Sequence, residues 1–272
     1  MASDLVLGFY NYPDPKLTSD KGGIEIFIKT LRRYNTDCNI IIFMDTITHE
    51  IKTLTDHYNV DVYLGYTGDF MYSRFIFYYD MILNKTYDKI LLCDINDVIF
   101  QSDPFLIQLD KSGLYLAEEI NSFDDIDNSS TKLNINWIND VSNYIKVNWE
   151  NYNGKRVVCA GTILGTSNSI TNYLAWYKDI QTKSNLTLND QGLLNVYKND
   201  ILKIASTNIY DSNILTLDKF DEFKKQDISF YNSNDSKFIN SKGKCYHIIH
   251  QLYNLNSELF KYVQLISKLS IY

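Results

Sequence analysis

The sequence predicts an α/β protein with a mixed, mostly parallel central sheet flanked by helices, and three observations predict it. Apolar runs of strand length recur at Leu5–Tyr10, Asn39–Met44, Val60–Leu64 and Lys89–Cys93. Between them the apolar residues change to helical spacing, the pattern of strands joined by crossover helices. At 272 residues and 45% hydrophobic, the chain is long enough to bury a full core, and a single domain is the expectation.

Taken in order, Ile24, Phe27, Ile28 and Leu31 repeat on one helical face after the first strand. Ile51 and Leu54 do so after the second strand, and Phe75, Tyr78, Tyr79 and Ile82 after the third. Beyond Phe105 the order loosens. Leu114–Glu118 reads as a strand, and Asn121–Lys132, crowded with Asp, Asn and Ser, reads as a loop with room for a mobile flap. Val157–Cys159 and Thr162–Leu164 read as short strands around an Ala160-Gly161 turn. Helices are expected from Ile170 to about Ile180 and after Asp190, then a last strand at Tyr246–Ile249 and a final amphipathic helix at Asn256–Tyr272. The halves 1–105 and 106–272 divide the predicted domain.

Composition excludes several classes. A formal net charge of -7 is the wrong sign for a nucleic-acid partner, which needs clustered Lys and Arg. Neither a secretory leader nor the roughly 20 consecutive apolar residues of a membrane span is visible. Cys38, Cys93, Cys159 and Cys245 lie far apart, which suits reduced core thiols. A cytoplasmic location is expected, or host cytoplasm or virion were the source viral. The oligomeric state is left open by the sequence.

The most informative segment is the run from Lys89 to Phe105, where an apolar strand meets Asp94, Asn96 and Asp97 and continues as Val-Ile-Phe-Gln-Ser-Asp-Pro-Phe. Ligands of open α/β sheets bind at the carboxyl ends of the strands. Carboxylates gathered there repel one another unless a cation neutralises them, so a hard divalent ion with oxygen ligands is the economical explanation. Asp94 with Asn96, or Asp94 with Asp97, are the two registers, and the second offers two carboxylates.

This strand and acidic turn, preceded by Arg74 on a Tyr- and Phe-rich helix, resemble the metal-binding region of GT-A nucleotide-diphospho-sugar glycosyltransferases, with a variant of their Asp-Xaa-Asp motif. Three later segments resemble the same family in order. Val157–Thr166, with Ala160-Gly161, resembles the small-residue turn against the donor sugar. Asn189-Asp190-Gln191-Gly192 resembles the Asp-Gln helix start that faces the sugar, where Asp190 doubles as an N-cap. Tyr246–Gln251 resembles the late metal ligand, with His250 favoured because a strand delivers it to a sheet edge. His49 and His57 have no motif around them and are expected at the surface.

The resemblance implies a GT-A, Rossmann-like fold and sugar transfer from a nucleotide diphosphate donor, UDP favoured and GDP allowed, to a saccharide, glycan or protein acceptor. It implies Mn2+ or Mg2+ held by Asp97, His250 and Asp94, with Asp94 reaching the ribose or the ion through water. Phe9, Tyr10, Asn11 and Asp45 are expected near the nucleoside, Arg74 at the phosphates or sugar, and Asn96, Ala160, Gly161, Asp190 and Gln191 around the donor. An inverting enzyme needs a general base, and Asp190 or an acid of the Asp124-Asp125-Asp127 group is the candidate.

Rival readings fail on particular residues. A haloacid-type phosphatase needs Asp where Asn96 stands. A sugar-phosphate nucleotidyltransferase opens with a glycine-rich loop and Arg where Gly8–Pro13 stand, and a dinucleotide dehydrogenase needs a Gly-Xaa-Gly-Xaa-Xaa-Gly turn. A catalytically silent binding or scaffold protein of the same fold is the alternative from another class.

Overall fold

A computed structural model describes residues 3–10, 23–64, 70–205, 212–217, 229–231, 237–239 and 243–251. The first part follows the expected alternation: β1 (Leu5–Tyr10), α1 (Ile24–Tyr34), β2 (Asn39–Met44), α2 (His49–His57), β3 (Asp61–Leu64), α3 (Phe70–Ile82) and β4 (Lys89–Asp94). β1 is apolar along its length and buried at every residue, as a strand covered on both faces must be. It pairs in parallel with β2, from Leu5 opposite Asn39 to Tyr10 opposite Met44, and β2 pairs in parallel with β3. α1 turns Ile24, Phe27, Ile28 and Leu31 inward, with Glu25 in its first turn and Arg32 and Arg33 in its last, charges that suit the helix dipole. Thr48 caps α2 by accepting a hydrogen bond from Ile51 N.

The remainder comprises β5 (Val98–Phe100), β6 (Leu114–Ser122), α4 (Ser129–Ser142), β7 (Arg156–Thr166), α5 (Ser167–Lys183) and α6 (Asp190–Val196), which runs into a π-helical turn at Tyr197–Leu202. Then come β8 (Ile214–Thr216), β9 (Ser229–Tyr231), β10 (Lys237–Ile239) and β11 (Ile248–His250). The main sheet has the order β3-β2-β1-β4-β7-β6, and its β6–β7 pair is antiparallel. A smaller sheet, β5-β11-β8, pairs β11 antiparallel with β5 and parallel with β8. The predicted class, a mixed and mostly parallel sheet flanked by helices, is the one observed.

Two compact units make up the chain. One comprises Met1–Thr67, Leu91–Gln108 and Tyr210–Tyr272, the other Gly68–Ile90 and Leu109–Ile209. The acidic turn and His250 belong to the first, and Arg74, Asp190 and Gln191 to the second.

Three local expectations are corrected. The two short strands around Ala160-Gly161 form one strand, β7, buried from Val157 to Gly165. The pairing with β6 is irregular there all the same: between Leu116 opposite Ile163 and Glu118 opposite Val158, β7 advances five residues against two of β6, so the bulge spans Ala160-Gly161, and a second shift follows on β6 before Ser122. Asn121–Lys132 is the end of β6, a short turn and the start of α4. Its polar residues serve as caps: Asn128 accepts from Ser130 N at 2.7 Å and Thr131 N at 3.3 Å. The last expected strand begins later, at Ile248, and takes in His250. Asn256–Tyr272 lies outside the described residues.

Candidate metal centre and buried ion pair

β4 carries Ile90–Cys93 into the core and ends at Asp94; a turn over Ile95–Asp97 then leads into β5. Ile95 is fully buried, and a Cβ placed on Gly8 of β1 would lie 2.1 Å from its Cδ1. The missing side chain of Gly8 is therefore the space that receives Ile95, which pins the turn by its one apolar residue. Asp94 and Asp97 flank that anchor.

His250 ends β11 and stands opposite Val98, the residue after Asp97. Strand alternation does the aiming: Ile249 points into a core of Ile26, Ile99, Leu215, Leu217, Phe238 and Tyr246, so His250 takes the other face. Its Nε2 lies 3.6 Å from Asp94 Oδ2 and 3.6 Å from Asp97 Oδ1. One donor atom from each of the three residues falls within 4.8 Å of the others. Side-chain exposure is 2% for His250, 12% for Asp97 and 31% for Asp94, so the cluster opens to solvent on the Asp94 side.

The donor set fits a divalent ion. At 3.6 Å the imidazole is beyond ordinary hydrogen-bond reach of either carboxylate. Ligand atoms about 2.1 Å from a shared ion sit roughly 3 to 4 Å from one another. Two carboxylates and an imidazole also supply the oxygen and nitrogen donors that such ions take.

The other nucleotide-side residues are placed as follows. Phe9 and Tyr10 end β1 and are 6% and 7% exposed, Asp45 is exposed directly after β2, and Asn96 is half-buried in the acidic turn. Asn11 lies outside the described residues. His49 and His57 are exposed. His247 precedes β11 and spends its Nδ1 on Ser102 and the Asp103 carbonyl, an arrangement distinct from that of His250.

The second unit joins residues far apart in sequence. Arg74 of α3 donates to Asp190 Oδ2 from Nη2 at 2.7 Å and from Nε at 2.8 Å, and the two side chains are 6% and 5% exposed. Asn189 is the cap of α6, accepting from Gln191 N at 2.9 Å and Gly192 N at 3.2 Å. This corrects the expected capping role of Asp190: Asp190 is the first helical residue, and its carboxylate is engaged by the guanidinium. Gln191 Nε2 donates to Glu119 Oε1 and Asn134 Oδ1, both at 3.0 Å, while its Oε1 accepts from Ala160 N at 3.3 Å. Arg74, Ala160, Asp190 and Gln191 thus form one bonded group, with Gly161 next in β7. Burial holds the hydroxyl of the adjacent Tyr173 well above its usual value, with Tyr177 and Asp190 adding to the shift and Arg74 opposing it.

Sequence reasoning passed over Gly8, Glu119 and Asn134, and also a buried pair between Lys198 and Glu118, exposed 1% and 6% at their side chains. Burial lowers the Lys198 ammonium and the Glu118 carboxylate opposes that shift. Two consecutive acids directly after the apolar run Leu114–Ala117 of a strand, Glu118-Glu119, were the available signal.

No protein-family model matches the chain, and no curated protein matches it in sequence. Solved structures do resemble it. The glycosyltransferase GlyE of Streptococcus pneumoniae TIGR4, in its apo form, is 18% identical over 99% of this chain with a TM-score of 0.54. The chain spans only 61% of GlyE. The bifunctional glycosyltransferase WbbM gives 13% identity, a TM-score of 0.50, and coverage of 92% of this chain and 45% of its own. Mouse xyloside xylosyltransferase 1 gives 11% and 0.50, covering 91% of this chain and 97% of its own. Among the described residues no helix is long and apolar enough to cross a membrane. At these identities the likeness is one of architecture, and the chain carries the GT-A-like α/β fold of these glycosyltransferases.

Proposed function

We propose that the protein is a divalent-metal-dependent glycosyltransferase that moves a sugar from a nucleotide diphosphate donor, UDP-linked by preference or GDP-linked, to a saccharide or protein acceptor. The observation that carries the reading is the convergence of Asp94, Asp97 and His250 from a turn and a strand about 150 residues further on, in a chain with a glycosyltransferase fold.

In this reading Asp97, His250 and Asp94 hold Mn2+ or Mg2+, with Asp94 alternatively serving the ribose. The bound ion would supply Lewis-acid neutralisation of charge on the departing diphosphate. Phe9, Tyr10, Asn11 and Asp45 would serve the base and ribose, and Asn96 the donor. Residues 1–105 serve the nucleotide and 106–272 the sugar and acceptor, His250 excepted. Arg74 fixes the carboxylate of Asp190, and Asp190, Gln191, Ala160 and Gly161 contact the transferred sugar. Were the reaction inverting, Asp190 or an acid among Asp124, Asp125 and Asp127 would take the acceptor proton.

Hydrolysis of UDP-sugars and GDP-sugars in the absence of acceptor, with Mn2+ and with chelator, tests the proposal. Slow release of nucleoside diphosphate that requires Mn2+ and is lost in Asp97→Ala is expected. Donor binding without any turnover would point instead to a silent binding protein of the same fold.

A further inference from the structure

The motif that ends β5 contains a residue with no part in the reading above. We propose that Gln101 is a positioning residue: its buried carboxamide holds the strand bearing His250 in the one register that turns the imidazole toward Asp94 and Asp97. The inference rests on the metal centre proposed above.

Gln101 follows β5 directly and is 2% exposed. Its Nε2 donates to the carbonyl of Phe238 at 3.2 Å and of Tyr246 at 3.0 Å, and its Oε1 accepts from Phe238 N at 2.5 Å. Its backbone N–H donates to the His247 carbonyl at 2.9 Å. One residue therefore joins the segment leaving the acidic turn to β10 and to the residues entering β11. Its neighbours add to the joint: His247 Nδ1 lies 2.6 Å from Ser102 Oγ and 2.9 Å from the Asp103 carbonyl. A carbonyl only accepts, so Nδ1 carries the hydrogen.

Register is the quantity at stake. Ile248, Ile249 and His250 stand opposite Phe100, Ile99 and Val98. A slip by one residue would exchange the faces, sending His250 into the apolar cluster and Ile249 toward the acids. Ladders of three residues specify register weakly by themselves, and the amide of Gln101 ties down the end where β5 leaves the ladder. A carboxamide suits the site, since its Nε2 donates to two carbonyls while its Oε1 accepts from one N–H. Glutamate would turn a carboxylate on two carbonyl oxygens, and methionine would remove all three side-chain bonds.

The test uses the whole chain and the metal alone. Mn2+ dissociation constants are measured by titration, and the visible spectrum of bound Co2+ is recorded, for wild type, Gln101→Glu, Gln101→Met and Gln181→Met. Gln181 is the matched control: a fully buried amide of the other unit, bonded to Tyr72 O at 2.9 Å and Leu188 N at 3.2 Å. Both Gln101 variants should bind Mn2+ about 10- to 100-fold more weakly, with altered Co2+ bands. Gln181→Met, which removes an equally buried amide and is expected to lower Tm comparably, should leave both unchanged. Wild-type Mn2+ affinity in folded Gln101 variants overturns the proposal, as does a loss equal to that of the control. Should neither Gln101 variant fold, Ser102→Ala carries the test, with a loss of about tenfold expected and an unchanged affinity decisive against it. Failure of the wild type to hold Mn2+ or Co2+ removes the metal centre itself, an outcome distinct from the others.

Discussion

The Arg74–Asp190 pair offers the sharpest energetic test of the second unit. Its atoms meet at 2.7 Å with side chains 6% and 5% exposed, a separation at which unit charges attract by about 6 kcal/mol at an effective dielectric near 20. Removing both charges from water opposes most of that gain, so the pair contributes little net stability. Breaking it is another matter. Arg74→Met alone buries an uncompensated carboxylate and Asp190→Asn alone an uncompensated guanidinium, each costing about 3–5 kcal/mol. For a chain of this size that is a fall in Tm on the order of 10 °C. The double variant removes both charges together and should cost less than the sum of the singles by roughly 3 kcal/mol. Urea unfolding of the four proteins, followed by circular dichroism, measures the cycle. Single losses under about 1 kcal/mol, or additivity within about 0.5 kcal/mol, would refute the buried pairing.

Two further outcomes follow from the first unit. Gly8→Ala forces a methyl against Ile95 Cδ1 and to 3.1 Å from the Cys93 carbonyl, an overpacking that should cost about 1–3 kcal/mol; Ile95→Val removes Cδ1 and should recover part of it in a thermal melt. Full additivity of these two changes would deny the contact. Burial pushes the Cys38 thiol up from 9.0 to about 11, with Arg32 opposing the shift. Because the folded value lies above the unfolded one, the associated stability is complete below about pH 9 and declines as pH rises toward 11. Iodoacetamide at pH 8.5 should therefore modify Cys38 far more slowly in the native chain than in urea, and equal rates would contradict its burial.

The sequence disclosed what local patterning can encode. Continuous apolar runs gave β1 and β2 their observed bounds, since a strand buried on both faces needs no partner to be recognised. Helical spacing found α1 and the inward face of α3 for the same reason. Small polar residues were ambiguous, because an Asn cluster that suits a loop also suits a helix cap, and Asn128 hid the start of α4. Ala160-Gly161 looked like a bend because small residues weaken a strand, and the register with β6 does break there, although β7 continues as one strand. Within the site, the chemical types of Asp94, Asp97 and His250 were legible and their proximity rested on resemblance. The Ile95–Gly8 fit and the Arg74–Asp190 bond, across 116 residues, were beyond any local signal. Such contacts belong to tertiary packing.

Direct observation of bound metal tests the account most closely. Electron paramagnetic resonance of Mn2+ titrated into the whole chain, with and without UDP or GDP, should show one tight ion in the wild type and tighter binding with the matching nucleotide. Asp97→Ala and His250→Ala should each abolish that ion while far-UV circular dichroism stays unchanged. Full Mn2+ occupancy in both folded variants would contradict the claim that these residues share a cation.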